Sequence, residues 1–227
     1  RDNCADIALT VDDVDRTPIA DARVLFVSGT GLSREPSHTA TLYAQERARA
    51  AGARVVLDLD YRADQWSDVR TYGAAARVAA GQSCLVIGTE DEVRAAAGGA
   101  GDLAEAVPVL LDTGVPALVL KRGEHGATIF ERSGRSREVA PFRVQVLNVL
   151  GAGDAFASGL LYAWLEGWPL DRAVRFGNAT GAIVVTRHSC ANDMPTLPEV
   201  KAFVEAQGGW GFDADRLAMP AREGRRR

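Results

Sequence analysis

Residues 148–159 read Asn148-Val149-Leu150-Gly151-Ala152-Gly153-Asp154-Ala155-Phe156-Ala157-Ser158-Gly159. Extended residues lead into a Gly-Ala-Gly turn, and the turn opens an apolar helix that carries on to Gly167. Glycines at such a junction let the backbone turn tightly and let another group approach it. The first N–H groups of a helix have no intrahelical partner. With the helix dipole they form an anion site that suits a phosphate. Asp154 falls on the first turn beside that site. Its carboxylate would accept the proton of a hydroxyl about to meet a phosphoryl group, while the N–H groups stabilise charge on the transferred phosphate. The same residues also make an ordinary helix start, because Asp is favoured there for capping and dipole reasons alone. No Gly-Lys-Ser/Thr follows, so this is not a Walker A loop. It also lies late in the chain and lacks the third glycine of a dinucleotide fingerprint.

Outward from this stretch, the chain alternates strand and helix. Short apolar runs at Val24 to Ser28, Arg54 to Leu59, Cys84 to Ile87 and Ala117 to Leu120 read as strands. Helical spacing lies between them at 37–52, where Ala40, Ala44 and Ala48 recur, and at about 68–80, 90–97 and 101–114. Doubly apolar strands alternating with helices imply a parallel sheet covered on both faces. Beyond Lys121, residues 128–131 and 136–147 look extended, with turns at Gly123, Gly126 and Gly134. Helices are expected at roughly 152–167 and 170–185, with Leu161, Trp164 and Leu165 as core residues of the first. A short last helix starts between Pro195 and Pro198 and runs out at Gly208-Gly209, and a polar tail follows.

The chain has 227 residues, of which 47% are hydrophobic and 25% charged, which excludes disorder, collagen and coiled coil as whole-chain classes. A net charge of −4 argues against a generally basic nucleic-acid or membrane binder. The three cysteines, Cys4, Cys84 and Cys190, are odd in number and far apart. They suggest neither a disulfide framework nor a metal site, and they fit a reducing cytoplasmic compartment. No apolar run approaches the roughly 20 residues that cross a bilayer, and no basic-then-apolar leader opens the sequence. The opening RDNCADIAL reads as the middle of something, so an N-terminal portion is expected to precede it.

The Gly151-Ala152-Gly153-Asp154 core, continued through Ala155, Phe156 and Gly159, resembles the signature of the PfkB or ribokinase-type sugar kinases. Leu57-Asp58-Leu59-Asp60-Tyr61-Arg62, with Trp66, resembles the strand end that faces the sugar. Thr89-Glu90-Asp91-Glu92 stands where the family often has Asn-x-x-Glu near the phosphates and magnesium. Lys121-Arg122-Gly123, with Gly126-Ala127, resembles the nucleotide-side hairpin, and Phe176-Gly177-Asn178-Ala179 to Arg187-His188 the helix beside the adenine. The details are most similar to the branch that serves inositol catabolism. The resemblance implies an α/β fold, a ribokinase-like three-layer α/β/α sandwich with a mostly parallel central sheet, here N-terminally truncated. Residues 1–208 would form its C-terminal, nucleotide-binding part and 209–227 a tail. It also implies ATP, Mg²⁺ and a sugar acid, 5-dehydro-2-deoxy-D-gluconate in that branch, as partners, with no nucleic acid or membrane. Copies would pair in the full-length protein, and this chain alone would be inactive.

In this scheme Asp154 is the base and Gly151, Ala152 and Gly153 the anion hole. Thr89, Glu92, Lys121, Gly123, Gly126 and Asn178 serve the nucleotide, Glu92 also the metal, and Asp58, Asp60 and Arg62 the sugar. Each has a plainer alternative. Arg62 is a ligand for a substrate carboxylate or a surface residue. Asp58 and Asp60 alternate along a strand and so point one way, towards sugar hydroxyls or a metal, or they cap a loop. Glu92 holds Mg²⁺ through water or sits as an acid in a first turn. Lys121 meets a phosphate or is solvated. His188 and Cys190 offer too few ligands for zinc. Asn148 and Val149 replace Asp and Thr of the usual signature, a departure that bears on any monovalent-cation site built on that Asp. Thr89 stands for Asn, and Ser189 for Gly. The substrate alternatives are 2-keto-3-deoxygluconate, fructose or a nucleoside, and the other classes are a non-catalytic nucleotide-binding fragment and, on Gly29-Thr30-Gly31, a dinucleotide oxidoreductase.

Overall fold

Val55, Val56 and Leu57 follow one another on a single strand, and all three are at most 1% exposed. Neighbouring side chains of a strand point to opposite faces, so burial of consecutive residues means that both faces are covered. Leu85, Val86 and Ile87, and again Leu118, Val119 and Leu120, are buried in the same way. The computed structural model describes residues 4–189 and 191–211. Its strands are β1 (Val24–Ser28), β2 (Arg54–Asp58), β3 (Leu85–Thr89), β4 (Ala117–Lys121), β5 (Ala127–Glu131) and β6 (Ser136–Val139). They lie in chain order in one sheet, and β1 to β4 run parallel. Ser28 stands opposite Asp58, Asp58 opposite Ile87, and Thr89 opposite Lys121. The register therefore gathers the polar residues Ser28, Asp58, Thr89 and Lys121 at the carboxyl ends of four neighbouring strands.

The helices are α1 (Val11–Asp15), α2 (Ser37–Ala50), α3 (Val69–Gly81), α4 (Glu90–Ala96), α5 (Leu103–Leu111), α6 (Ala152–Leu165), α7 (Leu170–Val184) and α8 (Leu197–Ala206). The chain divides into two compact units, residues 1–121 with 128–136, and residues 122–127 with 137–227. In the first unit α2 packs on β1 and β2, α4 on β3 and β4, and α5 on β4. The expected alanine stripe is the seam of α2, since Ala40, Ala44 and Ala48 are all buried. Gly52 follows that helix with φ +80°, a left-handed stop. Gly29 admits no side chain, because a Cβ there would lie 2.0 Å from the Leu59 carbonyl oxygen. The Gly29-Thr30-Gly31 run is thus a tightly packed turn, and its first glycine is filled by protein.

In the second unit α6 and α7 lie against each other through small residues. A Cβ on Gly159 would come within 2.3 Å of Thr180 Oγ1, and one on Gly177 within 2.8 Å of the Phe156 carbonyl oxygen. Thr180 Oγ1 in turn donates to the Ala155 carbonyl at 2.7 Å. The buried stripe of α6 is Ala155, Phe156, Gly159, Leu160 and Ala163. The expected core trio Leu161, Trp164 and Leu165 is only half-buried, because the close approach to α7 falls on the glycine face and turns the larger residues aside. The expected extended run from Ser136 to Leu147 holds as strand only to Val139. Pro141 has no N–H to donate to a ladder, and residues 140–147 run without regular structure. Cys190 and the arginine-rich tail lie outside the described residues.

Gly159→Ala is expected to lower the unfolding free energy by about 1–3 kcal/mol through overpacking. Gly101→Ala, where a Cβ meets nothing within 4 Å, should stay within about 0.5 kcal/mol of the parent. Urea midpoints of the two variants test this directly.

Candidate active site

Lys121 ends β4 and Asp58 ends β2, with β3 between them. The Lys121 ammonium nevertheless reaches Asp58, donating to Oδ1 at 3.1 Å and Oδ2 at 3.3 Å. Glu92 Oε2 lies 3.8 Å from the same nitrogen. The side chains are 14%, 9% and 15% exposed for Lys121, Asp58 and Glu92, so the solvated alternative for Lys121 is overturned by an ion pair at the strand ends. A Cβ on Gly88 would lie 2.6 Å from Leu59 Cδ1, so this glycine makes room for Leu59 on the opposite face of the sheet from the pair. Burial, the largest influence on Asp58, pushes its carboxyl up to about 6, against the pull of Lys121 and with the push of Glu92 and Asp60. Burial pulls Lys121 down, but Asp58 and Glu92 outweigh it and hold the ammonium above its usual value.

Glu92 also caps its own helix. Its Oε2 accepts the Thr89 N–H at 2.7 Å, and Thr89 Oγ1 accepts the Glu92 N–H at 3.4 Å. This reciprocal capping box is the first-turn alternative for Glu92, with Thr89 as its partner. Asp60 stands beyond the end of β2 with φ +36°, so strand alternation does not set its direction as the spacing predicts. It accepts from Ser28 Oγ at 2.8 Å and pairs with Arg62 Nη2 at 2.7 Å. Arg62 is exposed, and the structure brings it to Asp60 rather than to the Lys121 pair. Tyr72 donates to the Leu59 carbonyl at 2.8 Å and is flanked by Tyr61 and by Trp66, with ring centroids at 4.5 and 5.3 Å. Burial holds the Tyr72 phenol well above its ordinary range, so it stays neutral and fixes the backbone between the two aspartates.

In the second unit the glycine turn is built as the sequence suggests. Gly151 caps α6 in the left-handed conformation, φ +82°, and no side chain caps the helix. Gly151, Ala152 and Gly153 are half-buried and Asp154 is exposed on the first turn. The mouth of the helix is therefore open rather than packed. Val146, Leu147, Val149 and Leu150 just before it are also exposed, at 57%, 55%, 72% and 64%.

Gly123 and Gly126 bound the hairpin turn, and Gly126, at φ +82°, is held against Val139, whose carbonyl oxygen would lie 2.2 Å from a Cβ. Asn178 donates through Nδ2 to the Val139 and Ala140 carbonyls at 3.3 and 2.8 Å. Both residues thus hold the 139–141 segment. Sequence reasoning missed Arg175, one helical turn before Asn178 on α7, which donates to the carbonyls of Ala140 and Pro141 at 2.6 and 2.8 Å and lies 3.6 Å over the Phe142 ring. Its i, i+3 spacing from Asn178 was the available signal. Ser28 was missed as well, because only the register that sets it opposite Asp58 marks it. Among the described residues no group of three His, Cys, Asp or Glu side chains is disposed to hold a metal ion, and no helix is long and apolar enough to cross a membrane.

The Asp58 carboxyl is expected to titrate with a midpoint near 6 by ¹³C NMR, and Lys121→Met should move that midpoint upward, because the ammonium lowers it. The folded value lies above the ordinary 3.8, so the folded protein takes up this proton first. The stability this group contributes is present below about 3.8 and is lost as the pH rises through about 6. An ordinary midpoint that Lys121→Met leaves unmoved would show that the buried pair does not form.

The profile of the pfkB family carbohydrate kinases matches residues 3–197. The 5-dehydro-2-deoxygluconokinase of Shouchella clausii is 39% identical over 208 residues, which cover 91% of this chain and 64% of that protein. The enzyme of the same name from Bacillus subtilis is 35% identical over 210 residues, with the same coverage of both. The chain thus spans a little under two thirds of the length of these relatives. The structure of a fructokinase with bound ATP from Xylella fastidiosa superposes with a TM-score of 0.82 at 25% identity, over 92% of this chain and 69% of that one. A fructokinase double mutant from Vibrio cholerae in its fructose, ADP and potassium ion bound form gives a TM-score of 0.80 at 26% identity, over 88% of this chain and 66% of that one. These neighbours give the α/β fold its ribokinase-like character, and with a profile match over most of its length the chain belongs to the pfkB family of carbohydrate kinases.

Proposed function

We propose that this chain serves an ATP-dependent kinase that phosphorylates a primary hydroxyl of a sugar acid, 5-dehydro-2-deoxy-D-gluconate. The observation that carries this reading is the open mouth of α6, where half-buried Gly151 to Gly153 adjoin the exposed carboxylate of Asp154. The names of the 33–39% identical relatives support the substrate. In this reading the acceptor hydroxyl gives its proton to Asp154 as its oxygen bonds to the γ-phosphorus. The bond from that phosphorus to the β-phosphate oxygen breaks, and ADP leaves. The first N–H groups of α6 stabilise the negative charge on the equatorial oxygens. Asp58 and Asp60 orient sugar hydroxyls, and Arg62 reads the substrate carboxylate, since a guanidinium binds one in two-pronged fashion. Thr89, Lys121 and Gly123 serve the nucleotide phosphates, while Gly126 and Asn178 act by setting the backbone of the hairpin and the 139–141 segment.

Magnesium is assigned to Glu92. Glu92, with Asp58 near it but no three-ligand cage among the described residues, suits an ion that keeps its waters and takes most remaining ligands from phosphate. When bound, the ion would neutralise phosphate charge. Glu92 would hold it while still capping α4.

In a version of the chain extended to an active length, Asp154→Asn should lower turnover by roughly 10²–10⁴ with ADP affinity little changed. ADP release measured with the sugar acid, with 2-keto-3-deoxygluconate and with fructose, alongside calorimetric ADP binding, tests both parts. Undiminished turnover in Asp154→Asn would remove the base. Preference for fructose would remove the sugar-acid assignment. ADP binding without phosphorylation of any of the three would leave a nucleotide-binding chain only.

A further inference from the structure

Asn148 precedes the glycine turn and sits beside the end of α7. Its Nδ2 donates to the His188 carbonyl at 3.2 Å, and its Oδ1 accepts the Leu150 N–H at 3.0 Å. The two partners have opposite sense, an acceptor on one side and a donor on the other, so they fix which end of the amide faces which. The neighbouring carbonyls are also satisfied by protein donors. Val185 accepts both the Leu147 and Asn148 N–H groups, at 2.7 and 3.1 Å. Val184 accepts the Arg187 N–H at 2.9 Å. Ile183 accepts both the N–H and the hydroxyl of Thr186, at 3.1 and 2.7 Å. The carboxyl end of a helix ordinarily leaves such oxygens without partners and attracts cations.

The signature to which this stretch is similar has Asp where Asn148 stands, and a structural neighbour carries a bound potassium ion. A carboxylate has no N–H. Placed at Asn148, it would set a charged oxygen against the His188 carbonyl, two acceptors at hydrogen-bond distance, a contact that a cation between them would relieve. The residues present do not fit a monovalent cation here, because an amide donor already takes the oxygen such an ion would need. We infer that Asn148 replaces a bound monovalent cation with an internal hydrogen bond, so that the segment leading into α6 is set in the absence of potassium. Asn148→Asp would restore the demand for the ion. This concerns the fold of the loop and holds whether or not the chain phosphorylates a sugar.

Thermal unfolding of the chain at constant ionic strength tests it, with potassium chloride exchanged for tetramethylammonium chloride. The parent chain should melt at the same temperature in both salts. A saturable rise of its melting temperature with potassium would overturn the inference. Asn148→Asp should melt about 3–6 °C lower in tetramethylammonium and recover as potassium saturates. A folded variant indifferent to potassium would overturn it too. Should that variant not fold, the ¹⁵N side-chain amide resonances of Asn148 in the parent decide. They should not move on adding potassium, and a progressive shift would overturn the inference.

Discussion

A buried ammonium that must find its counter-charge organises the polar end of the sheet. Lys121 and Asp58 end strands separated by a third, and each is more than four-fifths covered. Removing one partner from such a pair leaves an uncompensated charge, at about 3–5 kcal/mol. The pair therefore constrains what surrounds it. Glu92 must remain close, and its place in the first turn of α4 keeps it there. The register of four parallel strands then fixes where every other polar strand end falls.

The second unit rests on a different constraint, the distance between two helices. Gly159 and Gly177 allow α6 and α7 to approach until Thr180 meets a carbonyl of the other helix. That approach anchors α6 behind its first turn, so the glycine turn can stay open while the rest of the helix is held. Gly159 thus serves the packing of the helix, while Gly151, in the left-handed region, serves its mouth. Glycines eight residues apart in one signature do separate work.

Much of this was legible from residue order. The apolar runs gave the four parallel strands, and in β2, β3 and β4 burial on both faces removes polar alternation; Ala40, Ala44 and Ala48 marked the seam of α2 by spacing alone. The turn at Gly151 and the exposed acid after it also followed from local chemistry. Less legible was anything set by register. That Lys121 would cross β3 to reach Asp58 depends on strand order, which residue spacing does not contain. The turn of Asp60 out of strand alternation needed a positive φ that a non-glycine sequence does not announce. Asn178 and Arg175 were hidden for a similar reason, since their partners are backbone carbonyls 34 to 39 positions away, and a carbonyl has no residue identity to read. Thr89 and Glu92 show the opposite case, a capping box visible in the letters that coexists with a proposed role at the phosphates.

That coexistence limits how Glu92 can behave. Its contacts with the Thr89 amide and with Lys121 both fall on Oε2. In the proposed reading, Oε1 is the carboxylate oxygen that these contacts leave for a hydrated ion. Such an anchor is weak by itself and becomes strong only when phosphate arrives with the ion. Divalent metal and nucleotide would then bind as one unit, and the protein without nucleotide would leave the ion in solution.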